Sequence, residues 1–331
     1  QYLNRVTDSL ITNDIEKEVG KSTKTLVFEN EIMELYKYRG KRQIPILIVN
    51  PLINGFYVLD LLPEISFIQF LVKAGYSPYI IKWKNLEEYK KEYDFDYYIQ
   101  NGLVVSIDKV YAKEKKQIII IGHCLGGVIV SSYLGAFNDE RVKKYISMNS
   151  PFDFSKMGVL NRLTSKELVN IDKLVDAYGN IPAEYMTFSF QFINPDTRFK
   201  GLMSIFFFYY NKEFVRIYKA LIKWRDDNIN MPGEFGRTLI KSFFQENLLF
   251  NEKFKVFGKK SSLKKIKVPV LNIMSYMDDV APYASCEALK EKLPDAQTIS
   301  MPDGHLAIVT LSLLGLSPQI YWDKILKWIQ E

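Results

Sequence analysis

The sequence contains only two cysteines, Cys124 and Cys286, and only two histidines, His123 and His305, among its 331 residues. Two cysteines cannot build a framework of several disulfides, and no CxxC pair or histidine-rich metal-binding spacing is present. We therefore expect no metal site. The low cysteine content favours a reducing compartment, the cytoplasm.

Long hydrophobic runs are also missing from the sequence. The longest apolar-aromatic runs, such as LMSIFFFYY at residues 202–210, fall far short of the roughly 20 residues that a transmembrane helix needs. The first 22 residues contain no apolar core of a secretory signal. We therefore expect no transmembrane segment and no secretory signal in this sequence.

The charge and composition are those of an ordinary globular protein. Hydrophobic residues make up 47% and charged residues 25% of the chain, and the formal net charge of +6 is spread along it. No nucleic-acid-binding motif accompanies this mildly basic balance, so we expect no nucleic-acid partner. The length fits one large α/β domain or two small ones.

Short apolar runs alternate with longer amphipathic runs, a pattern typical of a mostly parallel central sheet with helices on both faces. The predicted strands are Thr25–Phe28, Glu31–Tyr38, Pro45–Asn50, Ser77–Lys84, Gln117–Gly122, Lys144–Asn149, Pro269–Ser275 and Thr298–Met301. The predicted helices are Ser66–Ala74, Tyr97–Ala112, Gly126–Ala136, Ala284–Leu293 and Gln319–Gln330. The predicted fold class is therefore α/β.

The alternation of strands and helices stops between about Phe152 and Ser262. This stretch is rich in aromatic residues and has a mostly helical pattern, so we interpret it as a cap inserted between two strands of one sheet. The predicted division is a catalytic core of residues 1–151 and 263–331 and a cap (lid) of residues 152–262.

The segment G-H-C-L-G at residues 122–126 lies between an apolar strand and a predicted helix. This is the cysteine form of the nucleophile elbow, in which glycines two residues before and after the nucleophile permit a sharp turn. The turn places Cys124 at a helix N-terminus, where the helix dipole favours a thiolate. The backbone N–H of Leu125 would then form half of an oxyanion hole. A buried structural cysteine in a tight turn is the alternative interpretation.

An elbow nucleophile needs an acid and a histidine downstream, in that order. An apolar strand ends at Asp278 and Asp279, and a later strand is followed by a loop with His305. Only one of the two neighbouring carboxylates can face His305 from the end of an extended strand. We expect His123 to point away from the site, because it is adjacent to Cys124.

Several segments together resemble the polyhydroxyalkanoate synthases, a family with the α/β-hydrolase fold. They are NPLINGFYVLDL, GHCLGG, DAYGNIPAEYM and PGEFGRTLIKSFFQEN, and the likeness runs over nearly the whole chain. The cap segments are most similar to those of the short synthases that work with a second subunit. The chain departs from the family at Leu52, where tryptophan is usual, and at Asp279, where histidine is frequent.

The resemblance implies roles for individual residues. It makes Cys124 the nucleophile, His305 the base, and Asp278, four residues before Pro282, the acid. It also makes the backbone N–H of Ile53 the second oxyanion donor.

The implied reaction is polymerisation of (R)-3-hydroxyacyl-CoA, with short-chain monomers such as 3-hydroxybutyryl-CoA, and release of CoA. Coenzyme A arrives on the substrate, so no separate cofactor is expected. The implied partners are a second copy of the chain, a helical second subunit, the growing polyester and the surface of cytoplasmic polyester granules.

Thiol chemistry explains why cysteine replaces serine in this elbow. A thiolate that attacks a thioester forms another thioester, so the acyl group stays activated for attack by a hydroxyl group. Two other functions remain open from the sequence. One is a thioesterase or polyester depolymerase on the same fold, and the other is a non-catalytic protein of the granule coat.

Overall fold

Strands and helices alternate along the part of the chain that the computed structural model describes, which is residues 14–41, 44–193, 203, 206–207, 209–306, 308–309 and 318–331. The strands are β1 Thr25–Glu29, β2 Met33–Lys37, β3 Ile44–Val49, β4 Asp60–Leu62, β5 Ile65–Ser66, β6 Tyr76–Trp83, β7 Ile118–His123, β8 Val142–Met148, β9 Lys255–Val256, β10 Lys259–Lys260, β11 Val270–Ser275 and β12 Gln297–Met301. The helices are α1 Phe67–Lys73, α2 Phe95–Tyr98, α3 Val105–Glu114, α4 Leu125–Ala136, α5 Val159–Leu163, α6 Ile171–Tyr178, α7 Ala183–Ile193, α8 Lys212–Asp226, α9 Gly233–Thr238, α10 Tyr283–Glu287, α11 Leu289–Lys292 and α12 Gln319–Gln330.

Within the described residues, the central sheet has eight strands in the order β1-β2-β6-β3-β7-β8-β11-β12. Neighbours from β6 to β12 run parallel, whereas β1 and β2 form an antiparallel edge. Ile118 and Ile120 of β7 pack into one hydrophobic cluster, and Ile119 and Ile121 pack into another. Because successive side chains point to opposite faces, both faces of the sheet are covered. The predicted α/β class is confirmed, and the eight predicted strands are the eight strands of this sheet.

The helices follow the prediction less closely than the strands. The helix predicted over Tyr97–Ala112 is a longer element in which a π-helical stretch, Ile99–Val104, separates α2 from α3. In this stretch Gly102 packs against Trp83, and the Ser106 hydroxyl donates to the Gly102 carbonyl at 2.6 Å. None of the described helices is long and apolar enough to cross a membrane.

The chain makes its longest excursion from the sheet between β8 and β11, which are neighbouring strands. The described residues of this excursion include α5 to α9 and the short β9–β10 hairpin, which pairs outside the main sheet. Strands of two residues, such as β9 and β10, are too short to show a periodic pattern, and the sequence did not predict them. The cap bounds of 152 and 262 stay a prediction.

An aromatic cluster packs this excursion against the sheet-forming part of the chain. The ring of Phe95 lies 5.2 Å from Phe235, 5.2 Å from Phe243 and 5.4 Å from Phe254, measured between ring centroids. All four side chains are buried. Edge-to-face and offset contacts at these distances add to the free energy of burying the rings. Phe95 is therefore the centre of the contact between α2 and the helical excursion.

We expect Phe95→Ala to lower the free energy of unfolding by about 3–5 kcal/mol, because it leaves a cavity among three buried rings. Tyr111→Ala is the control, since Tyr111 is an exposed aromatic side chain on the neighbouring helix α3. The control should change the free energy by less than about 0.5 kcal/mol. Urea unfolding followed by fluorescence measures both variants. Equal changes in the two variants would contradict this description of the cluster.

Candidate active site

The predicted elbow is present at the end of β7. Cys124 has φ 52° and ψ −122°, and α4 begins at the next residue, Leu125. The Cys124 N–H donates to the Met148 carbonyl at 2.8 Å, and the Cys124 carbonyl accepts from the Gly127 N–H at 3.0 Å. A positive φ is rare for a side chain other than glycine, asparagine or aspartate, and such strain concentrates at functional sites. The turn places the partly exposed thiol of Cys124 at the start of a twelve-residue helix.

Glycines surround the elbow because side chains would not fit there. A Cβ atom added to Gly122 would lie 2.5 Å from the Gly127 Cα, and one added to Gly126 would lie 2.0 Å from the Val49 carbonyl oxygen. Both distances are shorter than any real Cβ contact. Only glycine at these two positions lets α4 approach β3 and β7 closely. This close approach holds Cys124 in its strained conformation.

The structure brings Asp278 and His305 together. The His305 Nδ1–H donates to Asp278 Oδ2 at 2.6 Å, and the side chain of Asp278 is fully buried. The other carboxylate oxygen of Asp278 accepts from the backbone N–H groups of Val280, at 2.9 Å, and Ala281, at 2.7 Å. Asp279 is exposed. The carboxylate of Asp278, rather than that of Asp279, therefore orients the imidazole.

The environment of His305 favours its charged form. Burial by itself lowers the pKa of His305, but the Asp278 carboxylate and interactions with the Cys124 side chain raise it well above 6.5. The Asn149 side chain donates to the His305 carbonyl at 2.7 Å and so fixes the loop that holds the imidazole. Asn149 itself has φ 46°, and no pattern in the sequence marked it.

The two residues predicted to supply oxyanion donors line the cavity that Cys124 also lines. Leu125 is the first residue of α4, so its N–H has no partner within the helix. Ile53 follows β3, and both residues line the same cavity as Cys124. The role of the two backbone N–H groups as oxyanion donors stays a prediction.

This cavity has a volume of about 640 Å³. Cys124 and His305 line it, and most of the rest of its wall is apolar. Side chains from helices between β8 and β11 form much of this wall: Leu160, Met186, Phe190, Ile217, Leu221 and Trp224. A site of this kind can hold an acyl chain next to a nucleophile and offers few groups that bind water.

The sequence profile of the alpha/beta hydrolase fold family matches residues 96–310, which is most of the chain. The chain belongs to the alpha/beta hydrolase fold family. A second family profile, described as the N-terminus of poly-beta-hydroxybutyrate polymerase (PhaC), matches residues 4–71 of this α/β hydrolase.

Curated relatives give a second comparison for this α/β hydrolase. It is 27% identical to the poly(3-hydroxyalkanoate) polymerase subunit PhaC of Haloferax mediterranei over 96% of the chain and 65% of that protein. It is 28% identical to the protein of the same name from Allochromatium vinosum, over 95% of the chain and 90% of that protein. The predicted resemblance to polyhydroxyalkanoate synthases is therefore confirmed.

Solved structures match the fold of the chain. A putative non-heme bromoperoxidase from Mycobacterium tuberculosis matches with a TM-score of 0.57 and 14% identity, over 92% of this chain and 98% of that one. A putative aryl esterase from Burkholderia cenocepacia matches with a TM-score of 0.55 and 14% identity, over 93% of this chain and 98% of that one. At this identity the likeness concerns the fold alone.

His123 lies in the site of this α/β hydrolase, so the expectation that it points away is wrong. The centre of its ring lies 5.7 Å from that of the His305 ring, and His123 is a fully buried residue in the wall of the same cavity. Burial, followed by the nearby His305, lowers the pKa of His123 to about 3, so its imidazole is neutral near physiological pH.

Cys286 is buried, whereas Cys124 is partly exposed. Cys286 is fully buried, and its Sγ–H donates to the Ala281 carbonyl at 3.3 Å. Burial raises the pKa of the Cys286 thiol well above its ordinary value. Because the thiolate is the nucleophile, Cys286 should be inert in the folded protein.

We expect iodoacetamide to alkylate Cys124 rapidly in the folded protein and to spare Cys286 until the chain unfolds, because only Cys124 faces the cavity. Peptide mapping of the alkylated cysteine measures this. Cys286→Ala should keep the rapid phase, and Cys124→Ala should remove it. Rapid labelling that survives in Cys124→Ala would contradict the assignment of the reactive thiol.

We also expect the stabilising effect of Asp278 to depend on pH. Because Asp278 raises the folded-state pKa of His305 above its unfolded value near 6.5, the pair stabilises the protein fully below about pH 6.5. This stabilisation is lost as the pH rises through the folded-state pKa. The difference in Tm between wild type and Asp278→Asn should therefore shrink between about pH 6 and pH 10. The control Asp279→Asn should show no such trend, and a constant difference for Asp278→Asn would refute the ion pair.

Proposed function

We propose that this α/β hydrolase is an acyltransferase that polymerises (R)-3-hydroxyacyl-CoA into a polyester and releases CoA. The observation that carries the proposal is a cysteine, rather than a serine, at the strained elbow beside a buried Asp278–His305 pair and an apolar cavity. The names of the relatives from Haloferax mediterranei and Allochromatium vinosum support polymerase activity.

In the first step, the Cys124 thiolate attacks the carbonyl carbon of the CoA thioester and forms a new carbon–sulfur bond. The backbone N–H groups of Leu125 and Ile53 stabilise the negative oxygen of the tetrahedral intermediate. The bond between the carbonyl carbon and the CoA sulfur then breaks. The leaving thiolate takes a proton from the His305 imidazolium, whose charge Asp278 stabilises.

In the second step, the 3-hydroxyl group of another acyl unit attacks the acyl-cysteine. His305 Nε2 accepts the hydroxyl proton, an ester bond forms, and the Cys124 sulfur leaves as a thiolate. The raised pKa of His305 suits it to hold this proton until it protonates the CoA thiolate that leaves in the next cycle. The growing polyester is one hydroxyacyl unit longer after each cycle.

The apolar wall of the cavity favours polymerisation over hydrolysis. Water competes with the 3-hydroxyl group for the acyl-cysteine, so a polymerase must exclude water from the site. The side chains of Met186, Phe190 and Leu221 that line the cavity offer no hydrogen bonds to water. A thioesterase or depolymerase with the same three residues would instead admit water.

The proposal extends to substrate, partners and location. Short-chain monomers such as 3-hydroxybutyryl-CoA are the proposed substrates, and CoA is released rather than held as a cofactor. The proposed partners are a second copy of the chain, a helical second subunit and the growing polyester. The name "polymerase subunit" of the relatives supports a partner subunit. The proposed location is the surface of polyester granules in the cytoplasm.

Replacing the sulfur tests the proposal most sharply. Cys124→Ser retains the elbow and a hydroxyl group near His305, but its acyl-enzyme is a less activated oxoester. We expect polymer yield from (R)-3-hydroxybutyryl-CoA to fall by orders of magnitude, with the remaining turnover diverted to free 3-hydroxybutyrate. Polymer and free acid are measured at matched CoA release. Polymer formation by Cys124→Ser near the wild-type rate would contradict the thioester argument, and free acid alone from the wild type would favour a hydrolase.

A further inference from the structure

The loop that carries the proposed oxyanion donor Ile53 is bound to the helical excursion by hydrogen bonds to its backbone. We define the oxyanion loop as residues 51–55. The Ile229 N–H donates to the Ile53 carbonyl at 2.8 Å, and the Gly55 N–H donates to the Asp227 carbonyl at 3.2 Å. The Trp224 indole N–H donates to the Gly55 carbonyl at 2.7 Å. Three bonds therefore tie the oxyanion loop to the end of α8 and the residues that follow it.

The side chain of Asn228 lies at the centre of this contact. Its amide oxygen accepts from the amide N–H of Asn54, and the two residues also form an isolated β-bridge. Its amide nitrogen donates to the Thr187 hydroxyl of α7 at 2.7 Å and to the Arg225 carbonyl at 3.1 Å. Asn228 therefore links the oxyanion loop to two helices that line the cavity.

These contacts bear on catalysis because an oxyanion hole depends on the placement of its donors. Donors must lie about 2.7–3.1 Å from the position of the developing oxyanion. Misplacement by about 1 Å can reduce a rate by about 100-fold. The Leu125 N–H is fixed by its place in α4. Ile53 lies in a loop instead, and this loop is held through the Ile53 carbonyl and the Asn54 side chain, which bond to residues that follow α8.

We propose that Asn228 is a positioning residue for the oxyanion hole: it holds the loop from Ile53 to Gly55 so that the Ile53 N–H reaches the tetrahedral intermediate. Asn228 does not touch the reacting atoms in this role. The contacts that place α7 and α8 over the cavity then also complete the oxyanion hole. The inference rests on the proposed function in that the stabilised intermediate is that of acyl transfer to Cys124.

The test compares Asn228→Ala with a matched control, Asn230→Ala. Asn230 is the same residue type on the same segment, and it also joins the excursion to the rest of the chain. Its amide nitrogen donates to the Leu86 carbonyl at 3.4 Å, and its amide oxygen accepts from the Ala183 N–H at 3.1 Å. Neither partner belongs to the oxyanion loop. The control therefore removes a comparable cap contact and leaves the oxyanion loop intact.

Two reactions of Cys124 separate positioning from general loss of structure. Acylation by p-nitrophenyl butyrate and by (R)-3-hydroxybutyryl-CoA requires the oxyanion hole, whereas alkylation by iodoacetamide requires only the thiolate. For Asn228→Ala we expect kcat of acylation to fall about 10- to 100-fold. Its KM should change less than about twofold and its alkylation rate should match the wild type, as expected when only transition-state interactions are lost. Asn230→Ala should keep both rates near the wild type.

Three results would overturn the inference: unchanged acylation in Asn228→Ala, a parallel loss of acylation and alkylation, or an equal loss of acylation in Asn230→Ala. The first would mean that the loop holds its position without Asn228, and the other two would mean a general structural role. The nitrophenyl ester keeps this test separate from the proposed function. A wild type that is acylated by the ester but does not use the CoA thioester would refute the proposed function, and the ester kinetics would still decide the role of Asn228.

Discussion

The backbone of Cys124, held at φ 52° and ψ −122°, is the constraint on which the rest of the site depends. Such a conformation costs about 1–3 kcal/mol and persists only where the surrounding structure enforces it. Two features enforce it here: hydrogen bonds from Cys124 to β8 and α4, and the close approach of backbones at Gly122 and Gly126. The packing of α4 against the sheet therefore stabilises a strained turn whose thiol faces a cavity rather than the core.

The sheet and the elbow could be predicted from the sequence because their signals are local. Buried parallel strands are continuous apolar runs, and the G-x-C-x-G spacing reflects the steric demand at the turn itself. The order of Cys124, Asp278 and His305 along the chain also led to the pair that the structure brings together. The choice of Asp278 over Asp279 came from the family resemblance, since the residues alone left both open.

The remaining features depend on contacts between distant parts of the chain, which no local pattern reveals. His123 was expected to face away, but the centre of its ring lies 5.7 Å from that of the His305 ring. Asn149 and Asn228 are ordinary polar residues in the sequence and acquire a role only through their partners, the His305 carbonyl and the Asn54 side chain. The same helices that supply the apolar wall also hold the oxyanion loop. The proposed exclusion of water and the proposed placement of the oxyanion donors therefore depend on the same helices.

The central claim is that Cys124 carries the acyl group as a thioester. Its most direct test is to mix the protein with butyryl-CoA, which lacks the 3-hydroxyl group needed for elongation, and to quench the reaction in acid. Peptide mapping by mass spectrometry then locates the acyl group. The account predicts a butyryl group on the peptide that contains Cys124, removable by neutral hydroxylamine as a thioester should be. An acyl group on a serine peptide, or CoA release with no acyl-enzyme at any quench time, would contradict it.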